Sequence, residues 1–142
     1  MPILFDSSVY ISALQAGGEA AVVLRRWARE TPLWLSSVVL EELYAGAARS
    51  DYRIIEKLER DFERARRVLV PSLSDWARTG RVLGRLGEKY GYEQIGRARL
   101  TNDALIAASA GRAGIAVVTV NQRDFGRLAE FCPFEWQVRE IS

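Results

Sequence analysis

The sequence predicts an α/β/α sandwich built on a mainly parallel five-stranded sheet. Two observations carry that prediction. Short, continuous apolar runs such as Ile3-Leu4-Phe5 and Leu33-Trp34-Leu35 read as strands buried on both faces, which is the pattern of parallel sheets. Between the runs lie stretches whose apolar residues recur at helical spacing, so strands and helices alternate along the chain.

The elements follow in order. The first strand ends at Asp6, and residues 7–14 read as a short helix. A second helix is expected over 19–29, where Ala20, Val23, Leu24 and Trp27 share one face; Gly17-Gly18 precedes it and Pro32 stops it. Leu33–Ser36 is the second strand, and Ser37 is a natural N-cap for a helix over 38–48. Residues 51–67 are highly charged, yet Ile54, Ile55, Leu58, Phe62 and Ala65 form a helical stripe. Val68-Leu69-Val70 is a short strand before Pro71. Ser74 then caps a long helix carrying Trp76, Leu83, Leu86 and Tyr90. Residues 91–99 read as a polar loop, 100–113 as a helix of small residues, 115–120 as a buried strand and 122–131 as mostly helix. The last strand, 134–141, alternates Phe134, Trp136 and Val138 with Glu135, Gln137 and Arg139, as an edge strand with one solvated face does. There is no internal repeat or linker, and a chain of 142 residues with 49% apolar content suits one domain over residues 1–142.

Absences narrow the chemistry. With no histidine, Ser-His-Asp, Cys-His and histidine-metal sites are excluded. The single cysteine, Cys132, excludes a disulfide within the chain and a cysteine-rich zinc site. A bound metal must therefore be held by oxygen, which favours magnesium or manganese. No apolar run approaches the roughly 18 residues of a membrane span, and the N-terminus lacks a signal-peptide pattern, so a cytoplasmic protein without membrane contact is expected. Eighteen of the twenty basic residues are arginines. That suits bidentate phosphate contacts, and a GC-rich genome produces the same bias.

Four carboxylates stand out, each with a plain structural reading beside a chemical one. Asp6 ends an apolar strand, where ligand sites of parallel sheets lie, but it also suits capping of the following helix. Glu42 falls on the apolar side of its helix, between Val38 and Val39, and needs a partner there; an arginine is the simplest. Asp103 shares a face with Leu100, Ile106, Ala107 and Ala110, in a first turn that favours any carboxylate. Asp124 follows the strand 116–120 and fits a capping arrangement with Asn121. Should they converge, two carboxylates about 4 Å apart repel by about 4 kcal/mol at an effective dielectric of 20. Such a cluster requires raised pKa values or a cation. A hard divalent ion would also supply a water for phosphodiester hydrolysis.

The series Leu4-Phe5-Asp6-Ser7-Ser8, then residues 37–46 with Glu42, then Asn102-Asp103-Ala104-Leu105-Ile106, then Val118-Thr119-Val120-Asn121-Gln122-Arg123-Asp124-Phe125, resembles the PIN-domain ribonucleases. The spacing is most similar to the VapC toxins of bacterial and archaeal toxin–antitoxin pairs, and it covers essentially the whole chain. The resemblance implies strand order 3-2-1-4-5 and a magnesium- or manganese-dependent endoribonuclease. It places the four acidic positions at Asp6, Glu42, Asp103 and Asp124, with Ser7, Thr119 and Asn121 supporting them. It implies an RNA substrate, a homodimer, and a cognate antitoxin lying in a groove near the site. The helices over 51–67 and 74–90 are expected to supply that groove or a dimer face, with Trp76 and the Ile54/Leu58/Phe62 stripe as candidates. Arg49, Arg97, Arg99 and Arg123 lie where they would reach phosphates.

Competing readings fit less well. A phosphotransfer receiver domain needs a lysine after a late strand, and neither Lys57 nor Lys89 is so placed. A dehalogenase-type phosphatase needs an aspartate two residues after the nucleophile, where Ser8 stands. A PIN-like module that binds RNA or protein with little catalysis is the remaining alternative.

Overall fold

Five parallel strands in the order β3-β2-β1-β4-β5 form the sheet of the computed structural model, which describes residues 1–16, 26, 29–94 and 98–139. The strands are β1 (Ile3–Phe5), β2 (Leu33–Ser36), β3 (Val68–Leu69), β4 (Ala116–Thr119) and β5 (Trp136–Val138). Helices α1 (Ser7–Ala16), α2 (Ser37–Gly46), α3 (Tyr52–Ala65), α4 (Leu73–Tyr90), α5 (Ala98–Ala113) and α6 (Gln122–Ala129) flank the sheet, giving the three-layer sandwich that the alternation of strands and helices predicts and the strand order that the resemblance implied. The helix expected over 19–29 falls almost wholly outside the described residues.

Central position explains strand composition. Every residue of β1 and β4 is buried, and their pairing sets Ile3 against Ala116, Leu4 against Val117 and Phe5 against Val118. A strand covered by helices on both faces has no solvated side, so it reads as an unbroken apolar run. Each fully buried Leu, Val or Phe here contributes about 2 kcal/mol through removal of its surface from water. The edge strand β5 keeps the predicted alternation only as far as Trp136, half-buried, and Gln137, exposed; Val138, expected on the buried side, is exposed too, and the strand is confined to three residues. Beyond Arg139 the expected strand lies outside the described residues.

The chain's own punctuation sets the helix ends, and several ends differ from expectation. Ser36, not Ser37, caps α2, its hydroxyl accepting from the Val38 amide at 3.2 Å. Ser72, not Ser74, caps α4: its hydroxyl accepts from the Asp75 amide while Asp75 accepts from the Ser72 amide at 2.8 Å, a reciprocal capping box. The carboxylate at the third helical position decides between the two serines. Residues 92–94, expected in a loop, form a single 3-10 turn, and α5 begins at Ala98 rather than Leu100.

One glycine is needed for packing. A Cβ on Gly111 of α5 would lie 2.3 Å from the Pro133 carbonyl oxygen, so only glycine lets α5 approach the segment leading into β5. Asp75 also ties α4 to α5, accepting from Arg112 Nε at 2.9 and 3.0 Å.

Candidate active site

The strand order reverses at β1, between β2 on one side and β4 on the other, and crevices at such switch points are where parallel sheets bind ligands. Asp6 and Thr119 follow the paired residues Phe5 and Val118, so the register sets them side by side at the carboxyl end of the two central strands. Both are buried. Thr119 Oγ1 donates to Asp6 Oδ2 at 2.8 Å, and Ser8 Oγ donates to Asp6 Oδ1 at 2.5 Å. The Val9 amide adds a longer contact of 3.4 Å to the same Oδ1. Asp6 therefore does more than cap α1. Its carboxylate is clamped from α1 and from β4 and fixed in orientation. Burial raises its pKa, and the hydroxyls of Ser8 and Thr119 partly oppose the rise.

Glu42 comes to the same place from α2. Burial is the main cause of its raised pKa, and the charges of Asp6 and Glu41 push it further up, while Ser7 and Asn102 pull it down. Glu42 thus lies within reach of the Asp6 charge, with Ser7 buried beside Asp6. The arginine partner expected for Glu42 does not appear: no ion pair to it forms among the described residues. Its Oε1 is buried without a hydrogen-bond partner.

Asp103 is buried on α5 at 4% exposure. Because α5 starts at Ala98, Asp103 falls in the second turn, where the helix dipole has weakened, and its plain electrostatic explanation weakens too. The adjacent Asn102 donates to Glu41 Oε2 at 3.1 Å and so joins this end of α5 to α2. Asp124 keeps its capping role. Asn121 Oδ1 accepts from the Asp124 amide at 3.3 Å, and Asn121 Nδ2 donates to Asp124 Oδ2 at 3.0 Å. The Asn121 amide also donates to Thr119 Oγ1 at 2.9 Å, so a relay of hydrogen bonds runs from Asp124 through Asn121 and Thr119 to Asp6.

Two contributors had no role assigned from sequence. Ser8 both donates to Asp6 and accepts from the Val120 amide at 3.3 Å, and Asn102 holds Glu41. The hydroxyl two residues past Asp6 was the available signal for Ser8, but its use depends on β4 lying alongside. Of the basic residues, Arg49 and Arg123 are exposed, Arg123 beside Asp124. Arg97 and the side chain of Arg99 lie outside the described residues.

The donor set suits a hard cation. Every candidate ligand is a carboxylate, and the orphaned Glu42 Oε1 beside the Asp6 charge is what a bound ion would satisfy. Among the described residues, no three histidine, cysteine, aspartate or glutamate side chains form a ready-made metal cluster. The fit to an ion therefore centres on Asp6 and Glu42.

Known proteins share this architecture. The DNA-bound VapBC of Salmonella typhimurium matches with a TM-score of 0.69 at 23% identity, over 97% of this chain and 98% of that one. VapBC-1 of nontypeable Haemophilus influenzae gives 0.66 at 22% identity, over 97% and 98%. VapBC2 of Rickettsia felis, bound to a promoter DNA fragment, gives 0.63 at 20%, over 99% and 100%. No curated protein matches by sequence. At these identities the structures establish a shared fold. The PIN domain family model matches residues 3–131, which include all four acidic positions and both central strands. The chain belongs to the PIN-domain family.

Proposed function

We propose that the protein is a magnesium- or manganese-dependent endoribonuclease, acting as the toxin of a VapBC-type pair. One observation carries this reading. A buried aspartate at the β1/β4 switch point is oriented by two hydroxyls and repels a second carboxylate, Glu42, whose Oε1 has no partner. A cation beside such a pair relieves its repulsion and satisfies the unpartnered oxygen. The PIN-domain membership supports a nuclease, and the VapBC likeness supports the toxin role.

Asp6, Glu42 and Asp103 would hold the ion, with Asp124 bearing on it from the first turn of α6. When bound, the ion supplies neutralising charge for the phosphate and lowers the pKa of water for attack on phosphorus. The chain's own contribution is orientation and charge. Ser8 and Thr119 hold both oxygens of Asp6, so little reorganisation is needed when substrate arrives. Asn121 couples Asp124 to Thr119, keeping the fourth carboxylate in step with the first. Ser7 and Asn102 favour ionised Glu42 against its burial. Arg49 and Arg123 would meet substrate phosphates from solvent.

As a VapC-type toxin the protein would be cytoplasmic, form homodimers and be neutralised by a cognate antitoxin. No described helix is long and apolar enough to cross a membrane. For a protein contact, Ile54 and Trp76 are exposed, whereas Leu58 and Phe62 pack partly against the core. Cleavage of a cellular RNA pool by pure protein tests the proposal, with magnesium or manganese and then with chelator, beside Asp6→Asn. Metal-dependent cutting lost in the variant is expected. If well-folded, antitoxin-free protein cuts nothing with either metal, the nuclease reading fails and a binding module takes its place.

A further inference from the structure

One face of α4 is mainly cationic from Arg78 to Lys89, with the exposed Glu88 beside Arg81 and Arg85. Arg78, Arg81, Arg85 and Lys89 are all exposed and recur every three or four residues, which keeps them on one side of the helix. Successive members four residues apart are separated by about 6 Å along the axis. Among the described residues no carboxylate pairs with Arg78, Arg81 or Arg85; Lys89 pairs with Glu130. Aromatic rings interleave with the charges. Arg85 lies 5.2 Å from the centre of the Phe131 ring and Lys89 lies 5.1 Å from that of Tyr90. From α6, Arg127 lies 4.3 Å from the same Tyr90 ring. Arg127, half-buried, is one turn from Arg123, which neighbours Asp124, so α6 leads from Tyr90 toward the acidic site. Tyr92, two-thirds exposed, follows directly on α4.

We propose that this surface, Arg78, Arg81, Arg85 and Lys89 on α4 with Arg127 and Arg123 on α6, is a track that guides the backbone of single-stranded RNA toward the carboxylates. The proposal rests on the nuclease reading and extends it from the cut bond to a distant part of the substrate. Evenly spaced cations along one helix match a repeating polyanion, and the exposed Tyr92 ring offers a stacking surface to an unpaired base. The α4 part of the track lies on residues other than those that hold the ion or meet phosphates at the site, with Arg123 as the point where the two join. It therefore adds affinity for long RNA without altering the chemistry.

The test compares wild-type protein with Arg81→Gln/Arg85→Gln on two single-stranded RNAs sharing one cleavage site, one of about four nucleotides and one of about twenty. Binding is followed across a salt series with magnesium replaced by calcium, and cleavage with magnesium. For the long RNA, binding should weaken on the order of tenfold and the salt slope should fall by about 1.4, at about 0.7 per lost phosphate contact on a single strand. KM should rise while kcat holds, the short RNA should be unaffected, and Arg81→Lys/Arg85→Lys should restore most of the affinity. Unchanged affinity and slope for the long RNA would overturn the track while leaving the nuclease intact. Equal losses on both RNAs would also overturn it, placing these arginines at the cleavage site. A changed sedimentation coefficient with unchanged RNA binding would reassign the face to protein association. Wild-type protein that neither binds nor cuts RNA would remove the nuclease reading and the track together.

Discussion

Thr119 shows how much of the site depends on single atoms. Its hydroxyl donates to Asp6 Oδ2 and accepts from the Asn121 main-chain amide, so one oxygen holds the first carboxylate and also fixes the residue that holds the fourth. Thr119→Val preserves the shape of β4 but removes that oxygen. Groups that orient metal-binding carboxylates typically contribute 10- to 100-fold. Thr119→Val should therefore lower kcat for RNA cleavage by about that factor, with an unchanged circular dichroism spectrum. A variant as active as wild-type would show that the hydroxyl matters only to the strand. At this scale the sequence was partly legible. Asp6, Glu42, Asp103 and Asp124 were visible because carboxylates at strand ends and on apolar helix faces demand explanation. Ser8 and Asn102 were not, because their partners, Asp6 and the Val120 amide for one and Glu41 for the other, depend on how β1, β4, α2 and α5 assemble.

At the scale of elements, Asp75 carries an unusual share of the architecture. It closes the capping box of α4 and anchors Arg112 of α5 while itself buried. Burial opposes its ionisation, but the Ser72 amide and Arg112 outweigh that and hold its pKa below the ordinary carboxylate value. A depressed folded-state pKa means stability that is present above the unfolded pKa, near 4, and lost as pH falls through the folded one. Asp75→Ala should destabilise the protein at pH 7 by about 2 kcal/mol, combining a lost cap with lost hydrogen bonds to a buried charge. The gap to wild-type should narrow as pH falls below about 4. Urea unfolding of both proteins from pH 7 downward measures it, and a gap independent of pH would place the loss in packing alone. The elements themselves were largely legible because β1 and β4, buried on both faces, leave no room for polar residues. Ends were less so. Ser72 rather than Ser74 caps α4 because only Ser72 has a carboxylate three residues on, and β5 is short because an edge strand is held from one side only.

At the scale of the whole molecule, the fold brings to one end of the sheet acidic residues that are far apart in sequence. Asp6 and Thr119 meet because β1 and β4 pair across more than a hundred residues, and Glu42 joins them because α2 starts where β2 ends. Strand order was legible only through the family resemblance, since local patterns do not say which strands are neighbours. The central claim is that this gathering exists to hold a divalent ion. Titration of manganese into the protein, followed by the loss of the free-ion electron paramagnetic resonance signal, tests it directly when Asp6→Asn is run beside wild-type. Saturable binding by wild-type is expected, with affinity at least about tenfold weaker in the variant and both proteins equally folded in chelator. Equal manganese affinity in the two would contradict it, because Asp6 would then be a buried structural carboxylate and the ion, if bound, would sit elsewhere.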